Sequence, residues 1–378
     1  MTTLAHPSET ANAGSLLPST SPLQLIDQDG QPGGNPGGLA LPSPDMLREL
    51  HRRMVLGRRF DTQATALTKQ GRLAVYPSSR GQDACQVGAA LALREQDWLF
   101  PTYRDSVAVL TRGVPAEETL TLLRGDWHCG YDPVQRRVAP QCTPLATNTT
   151  HAVGLAYAAR LKHEDQVALV LLGDGATSEG DTHEALNFAA VWKAPVVFLV
   201  QNNGYAISVP LAKQSAAPSL AAKGIGYGVP SLLIDGNDAA AVYAAVRAAI
   251  SRASHGDGPT LIEAITYRIE AHTNADDATR YRSSAEVSGW LERDPIARLE
   301  AYLRARGLLD DAALGRLAAD AEELAAEVRD RMNADADLDP AELFEHVYAV
   351  PTANLERQRA ALLAELAELA ELDEEPAR

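Results

Sequence analysis

The chain has 378 residues, 46% of them hydrophobic, and carries a formal net charge of −16. This suits one large α/β domain or two modest ones with a sizeable core, and the charge argues against nucleic acid or an anionic membrane as a partner. No apolar run approaches the ~20 residues needed to span a bilayer, and the three cysteines, Cys85, Cys129 and Cys142, have neither metal nor disulfide spacing, which points to a reducing compartment.

Residues Met1 to Ser43 are rich in Ser, Pro, Gly and Thr, and most are expected to be mobile. They lack the charged start and continuous apolar stretch of a secretory signal, and they lack the arginines of a transit peptide. Asp45 to Gln70 reads as a helix, with Pro44 near its start and Met46, Leu47, Leu50, Met54 and Leu67 at helical spacings. Gly81 to Leu93 is an Ala-rich helix whose small residues suit close packing. Arg104, following the aromatic Tyr103, reads on its own as one end of a surface salt bridge. His128, in the segment Arg124 to Gln141, reads as a loop histidine without catalytic work. His151 to Arg160 is a helix, Ile234 lies near the end of a strand, and Asp238 caps an Ala-rich helix that continues to Ser251. Pro259 to Thr266 is a buried strand. Tyr267 to Arg282, polar with few apolar anchors, reads as a mobile loop that orders on binding. Asp294 to Met332 reads as helices with a turn near Gly307. Leu355 to Leu372 is an acidic amphipathic helix, suited to an intersubunit or core-docking role rather than a membrane one.

The stretch from Leu169 to Ser208 carries the chemistry. The apolar run Val167–Leu172 breaks at Gly173-Asp174-Gly175, a helical segment runs from Thr182 to Trp192, and a second apolar run, Val196–Val200, stops at Asn202-Asn203-Gly204. Short apolar runs bounded by Gly, Pro and Asn mark buried parallel strands, so the unit is a right-handed βαβ crossover and the fold class is α/β, a doubly wound parallel sheet. Both polar turns lie at strand carboxyl ends, where such sheets bind ligands. The Asp174 carboxylate, the Asn203 amide oxygen and the backbone carbonyl near Tyr205 offer three hard oxygens suited to magnesium. Gly173 and Gly175 let backbone amides approach a diphosphate.

GDG followed after 26 residues by NN is the spacing of the thiamine-diphosphate motif. The stretches GDGATSEGD, NFAAVWKAPVVFLVQNNGYAIS, IDGND, LIEAITYRIEAHTNADD and YRS closely resemble the α chain of the decarboxylating component of 2-oxoacid dehydrogenase complexes, the branched-chain type most of all. The resemblance spans roughly Leu41 to Leu363. It implies a thiamine-diphosphate-binding domain over residues 44–350, after the tail of residues 1–43 and before a C-terminal helix and acidic tail over 351–378. The implied ligands are thiamine diphosphate and Mg2+, with Asp174, Asn203 and Tyr205 on the metal. Around the cofactor it implies Tyr103, Arg104, Thr143, Leu145, Gly173, Asp174, Gly175, Ala176, Gln201, Asn203 and His272. Arg104 would hold the terminal phosphate as a fork, Leu145 would be the apolar wedge beneath the cofactor, and His272 would be the catalytic histidine, beside the diphosphate and supporting loop order. Some relatives also bind K+ in the turn that corresponds here to Cys142, Pro144, Thr147 and Asn148, with Cys142 and Asn148 as replacements.

Three departures stand out. Arg124–Gln141 is shorter than the family's loop, and its G-R-x-x-P-x-H element has no counterpart there. Gln201 stands where branched-chain relatives often have Arg, so phosphate binding would lean on Arg104 and His272. Thr273 replaces the phosphoserine of animal relatives. The implied activity is oxidative decarboxylation of branched-chain 2-oxo acids with acyl transfer to lipoyl-lysine of the acyltransferase component. The carboxylate that such enzymes need beside the aminopyrimidine comes in this family from a Glu of a separate β chain, so an α2β2 assembly is expected and the α chain alone should be inactive. A bacterial cytoplasm fits, or a mitochondrial matrix in a eukaryote. The competing readings are a pyruvate or acetoin dehydrogenase α subunit and a non-catalytic cofactor-binding protein. Loss of Asp174 or Asn203 would have favoured the last, and both are present.

Overall fold

The computed structural model describes residues 16–34, 37–126, 128–334 and 339–374. Residues 1–15 of the N-terminal tail, Trp127 of the 124–141 segment and residues 375–378 of the acidic tail lie outside them, as does the side chain of Leu372. Two compact units divide at Arg331/Met332.

The larger unit is built on a five-stranded, wholly parallel sheet. Its strands are β1 (Trp98–Phe100), β2 (Ala168–Gly173), β3 (Val196–Asn202), β6 (Ser231–Asp235) and β7 (Thr260–Ile265), and a two-stranded hairpin, β4 (Tyr205–Ala206) with β5 (Val209–Pro210), follows β3. The order across the sheet is β1-β2-β3-β7-β6. The helices before the hairpin are α1 (Pro44–Lys69), α2 (Asp83–Ala92), α3 (Ser106–Thr111), α4 (Ala116–Arg124), α5 (Pro133–Arg136), α6 (Thr147–Leu161) and α7 (Gly180–Trp192). After it come α8 (Ala239–Ser254), α9 (Ser284–Leu291), α10 (Pro295–Ala305) and α11 (Asp311–Asn333).

The alternation of side chains along a strand divides the core in two. Leu169, Leu171, Val197, Leu199 and Ile262 face one side, packed with Cys85 and Ala89 of α2 and Val242, Val246 and Ile250 of α8. Val170, Leu172, Val196, Phe198 and Val200 face the other, packed with Ala152 and Ala156 of α6 and Ala185 and Ala189 of α7. Helices therefore cover both faces, and the near-continuous apolar runs of β2 and β3 are what a doubly covered parallel sheet requires. The β2–β3 crossover lies on one face and the β6–β7 crossover on the other, so the carboxyl ends of β3 and β7 meet where the winding switches side, the usual place for a ligand crevice.

Helix starts follow their caps. Ser43 Oγ accepts from Met46 N at 3.3 Å ahead of Pro44 in α1, and Asp238 Oδ1 accepts from Ala240 N and Ala241 N at 3.0 and 3.2 Å in α8. α6 begins at Thr147, four residues before the sequence pattern places it, because Ala146 turns the chain at φ 64°. A 3-10 turn, Gly175–Ser178, precedes α7. The described N-terminal residues dock on the sheet. Leu23 pairs in parallel with Ile234 at the outer edge of β6, and Asp238 Oδ2 accepts from Leu25 N and Ile26 N at 2.6 and 2.8 Å. The short 124–141 segment covers the opposite edge: Val138 bridges Leu99 of β1, and Tyr131 is buried in the core. The smaller unit, from Met332, holds the short helix α12 (Glu342–Glu345) and the long helix α13 (Ala353–Glu374).

Candidate active site

A cavity of about 190 Å³ opens at the carboxyl ends of β2 and β3. Asp174 is the first residue past β2 and is 1% exposed. Gln214 Nε2 donates to its Oδ2 at 2.6 Å, while its Oδ1 is buried without a partner. Burial pushes this carboxyl above its usual range, against the bond from Gln214. Asn203, the first residue past β3, and the hairpin residue Tyr205 line the same cavity. Among the described residues no cluster of three or more His, Cys, Asp or Glu could hold a metal. A cation here would rest on the one carboxylate together with neutral oxygens, a set that suits a hard ion bringing its own anionic ligand. The orphaned, buried Asp174 oxygen fits such an ion, because an unpaired carboxylate atom is otherwise costly to bury.

Positive charge lines the same cavity. Arg104 donates from Nη1 to Ser78 O at 3.1 Å and from Nη2 to His272 O at 2.9 Å, with Nη2 also 3.1 Å from His272 Nδ1. Arg268, fully buried, donates to Tyr205 O at 3.2 Å, Ile207 O at 2.6 Å and Tyr281 Oη at 2.9 Å. Its Nη1 lies 3.5 Å from the same His272 Nδ1, and its Nε is buried without a partner. Burial, then Arg104 and Arg268, lower His272 to a pKa of about 4. The ring is therefore neutral near pH 7, and with Nδ1 facing two guanidiniums its proton sits on Nε2. Tyr103 meets His272 edge to face at 6.1 Å, with the Arg104 guanidinium 5.5 Å from its ring centre.

The 267–282 loop is cross-braced here. Arg282 donates to the carbonyls of Arg268, Ile269 and Glu270, and Asp276 Oδ2 accepts from His272 N at 2.7 Å and from Tyr281 Oη. These arginine contacts to backbone carbonyls add to the apolar anchoring of Tyr267 and Ile269, which are buried in a cluster with Tyr205.

Of the residues singled out from sequence, Tyr103, Arg104, Leu145, Gly173, Asp174, Gly175, Ala176, Gln201, Asn203, Tyr205 and His272 share this cavity, and Thr143 does not line it. Gly173 and Gly175 differ. An added Cβ at Gly175 would lie 2.7 Å from Ala206 Cβ, whereas one at Gly173 would meet nothing within 4 Å and would project into open space. Gln201 lines the cavity with both polar ends committed inside the protein: Nε2 donates to Asp105 Oδ1 at 2.7 Å and Oε1 accepts from Gln82 Nε2 at 2.9 Å. The turn considered for potassium is also largely engaged. Cys142 O accepts from Tyr103 N at 3.0 Å, Thr147 Oγ1 donates to Asp181 at 3.4 Å, and Asn148 Nδ2 donates to Leu171 O at 2.9 Å. His128 accepts from Gly130 N at 3.1 Å within its own turn, and the described residues of the 124–141 segment do not line the cavity.

The pattern reading did not find Gln82, Glu179, Gln214 and Arg268, of which all but Gln214 line the cavity. Arg268 had a signal: an arginine at the mouth of a polar loop, one residue after a strand-end aromatic. The other three had none, since a lone Gln or Glu carries no pattern.

The family model described as "Dehydrogenase E1 component" matches residues 51–341. The chain is 49% identical over 346 residues to the 3-methyl-2-oxobutanoate dehydrogenase subunit alpha of Mycobacterium tuberculosis, a match covering 92% of this chain and 94% of that one. It is 37% identical over 337 residues to the pyruvate dehydrogenase E1 component subunit alpha of Acholeplasma laidlawii, covering 88% and 96%. Against the subunit of that name in Staphylococcus aureus the identity is 41% over 269 residues, covering 71% and 72%.

Proposed function

Because the chain belongs to the dehydrogenase E1 component family, we propose that it is the α subunit of a branched-chain 2-oxoacid dehydrogenase. It would decarboxylate 3-methyl-2-oxobutanoate and related acids and deliver the acyl group to a lipoyl-lysine of the acyltransferase component. One observation carries the reading: the unpartnered Asp174 oxygen shares its cavity with Arg104, Arg268 and His272, which is the complement of a diphosphate bridged by a cation. The branched substrate is favoured by the 49% identity to the mycobacterial relative, against 37% and 41% to the pyruvate-named ones.

Thiamine diphosphate, when bound, supplies the thiazolium carbon that adds to the keto group and accepts the electron pair left by carbon dioxide. This chain's residues do the rest of the holding. Asp174, Asn203 Oδ1 and the Tyr205 carbonyl would take Mg2+. That carbonyl already accepts from Arg268 and has a second lone pair to offer. Arg104 would take a diphosphate oxygen as a charge-assisted hydrogen bond, Arg268, whose Nη groups are engaged on Tyr205 O, Ile207 O and Tyr281 Oη, would add positive charge beside it, and His272 keeps a proton on Nε2 to donate. Leu145, 42% exposed on the cavity wall, would support the rings through apolar contact. Residues 44–331 of the larger unit form the cofactor-binding domain in this reading, and potassium plays no part in it.

A β chain completes the site. The cavity's 190 Å³ falls short of the roughly 300–1,000 Å³ of a whole ligand pocket. Leu145 and Ile207 on its wall and Val209 beside it are 42%, 55% and 41% exposed, an apolar rim suited to a covering partner. The test is decarboxylation with thiamine diphosphate and Mg2+ by this chain alone and co-expressed with a β chain. Activity is expected only in the pair, faster on 3-methyl-2-oxobutanoate than on pyruvate, and abolished by Asp174→Ala. A preference for pyruvate would move the substrate to the second reading, and a pair that binds cofactor without turnover would refute the catalytic one.

A further inference from the structure

Asn203 serves as a metal ligand only if its side-chain oxygen, not its nitrogen, faces the cation. The two ends of a carboxamide are alike in shape, so the surroundings must choose between them. Here two things make the choice: Tyr205 N, which donates to Oδ1 at 3.3 Å, and, on the nitrogen side, a chain of buried groups. Asp105 is 0% exposed, and its Oδ2 accepts from Thr102 N and Thr102 Oγ1, both at 2.7 Å. Its Oδ1 accepts from Gln201 Nε2 at 2.7 Å. Gln201 therefore turns its Oε1 away, and that atom accepts from Gln82 Nε2 at 2.9 Å. Gln82 in turn presents Oε1, which accepts from Asn203 Nδ2 at 3.0 Å. With its nitrogen committed inward, Asn203 turns its Oδ1 to the cavity, where it accepts from Tyr205 N at 3.3 Å and keeps a second lone pair for a cation. Gln82 and Gln201 are each 2% exposed and Asn203 is 6% exposed, so water does not readily replace any link.

We propose that Asp105 is a positioning residue that acts through Gln201 and Gln82 to set which end of the Asn203 amide meets the cation. The direction of the whole chain follows from one fact: an ionised carboxylate only accepts. If position 105 were an amide, Thr102 N would still pin its oxygen, and its nitrogen would face Gln201. Each carboxamide would then have to turn over, and Asn203 would offer N–H groups to the metal. This also accounts for Gln201, which here orients a ligand and need not touch phosphate.

The inference rests on Asn203 being a metal ligand, and the experiment separates the two claims. The full chain, co-expressed with its β chain, is titrated with Mg2+ by calorimetry at fixed thiamine diphosphate, and the metal-free thermal midpoint is recorded for each variant. Asp105→Asn should weaken Mg2+ roughly 10- to 100-fold, the usual effect of losing a group that orients a ligand. Adding Gln82→Glu to Asp105→Asn moves the carboxylate along the chain without changing net charge or ligands. The carboxylate introduced at position 82 then accepts from Asn203 Nδ2 on one side and from a reversed Gln201 on the other, and every link is satisfied. The double variant should bind Mg2+ within about threefold of the parent, a recovery that a merely structural role for Asp105, or direct ligand contact by Gln82, would not produce. Mg2+ affinity unchanged in Asp105→Asn, or no tighter in the double variant, overturns the relay. If Asp105→Asn does not fold, Gln82→Glu alone leaves carboxylates at both ends of Gln201, so the double variant must melt higher than Gln82→Glu; an equal or lower midpoint overturns it. Asn203→Ala is the control. If it binds Mg2+ like the parent, the ligand reading beneath the proposal fails. If it binds weakly while Asp105→Asn binds normally, only the relay fails.

Discussion

Gly175→Ala adds one methyl group where the cavity wall has no room for it. The new Cβ would lie 2.7 Å from Ala206 Cβ. Non-bonded carbons rest at about 3.5–4.0 Å, so the two must part by about 1 Å. Gly175 lies two residues past β2, whose core is fully buried, whereas Ala206 sits in a two-residue strand next to Tyr205. The hairpin should yield, carrying with it the Tyr205 carbonyl that Arg268 holds at 3.2 Å. Overpacking of this kind costs about 1–3 kcal/mol, and metal ligands tolerate only about 0.2 Å. The metal-free thermal midpoint should fall by a few degrees, at ~2–4 °C per kcal/mol, and Mg2+ affinity should drop by at least ~10-fold. Gly175 does not have a left-handed φ, so backbone strain does not confuse the result. Gly173→Ala is the internal contrast: its Cβ meets nothing within 4 Å, so the midpoint should hold while thiamine diphosphate, which would pack there, binds more weakly. Scanning fluorimetry and calorimetry read both quantities. A Gly175→Ala chain that melts and binds Mg2+ like the parent would refute the steric argument.

Without cofactor, His272 should titrate by proton NMR near its lowered pKa of about 4, and Arg104→Met should raise the midpoint by removing the nearest charge. Because the folded chain binds fewer protons here than the unfolded one between pH 6.5 and about 4, the stability from neutral His272 is full above pH 6.5 and is lost as pH falls through that window; a midpoint at 6.5 would contradict the two-guanidinium environment. Asp238→Ala should cost about 3–5 kcal/mol in urea unfolding, since it strips the cap of α8, leaves Leu25 N and Ile26 N unpaired and removes a charge partner 3.7 Å from buried Arg298. A loss under ~1 kcal/mol, the scale of an ordinary helix cap, would show that the N-terminal clip contributes nothing.

The parts of this fold legible in the sequence are those written locally. β2 and β3 are uninterrupted apolar runs because both their faces are covered, and the breaks at Gly173 and Asn202 announce their ends. Asp174, Asn203 and Tyr205 stand beside those breaks, so position alone marks them. The hairpin at Tyr205–Pro210 is not legible, because two-residue strands carry no periodicity. β1 is hidden for a similar reason: three residues between a turn and a polar segment are too few to show a pattern. The Gln82–Gln201 pair spans 119 residues and Gln201–Asp105 spans 96, so no window along the chain contains the relay. Gln201 reads in sequence as a lost phosphate contact because its neighbours there say nothing of the carboxylate beside it in space. Thr143 belongs to its motif by position, yet the turn at Ala146 leaves it exposed.

The clip at the edge of β6 also sets an order of events. Leu25 N and the carboxylate that holds it are 213 residues apart, and Arg298, which donates to Ile26 O, lies 272 residues on. A closure of that length has a large entropic cost, and only a formed β6 and α8 can repay it. The first described residues off the ribosome are therefore among the last to find their place. Until they do, a sheet edge with unpaired amides faces whatever chain is nearby. The segment from Leu16 to Gly34 acts as a latch on assembly, shut only after most of the larger unit has been made.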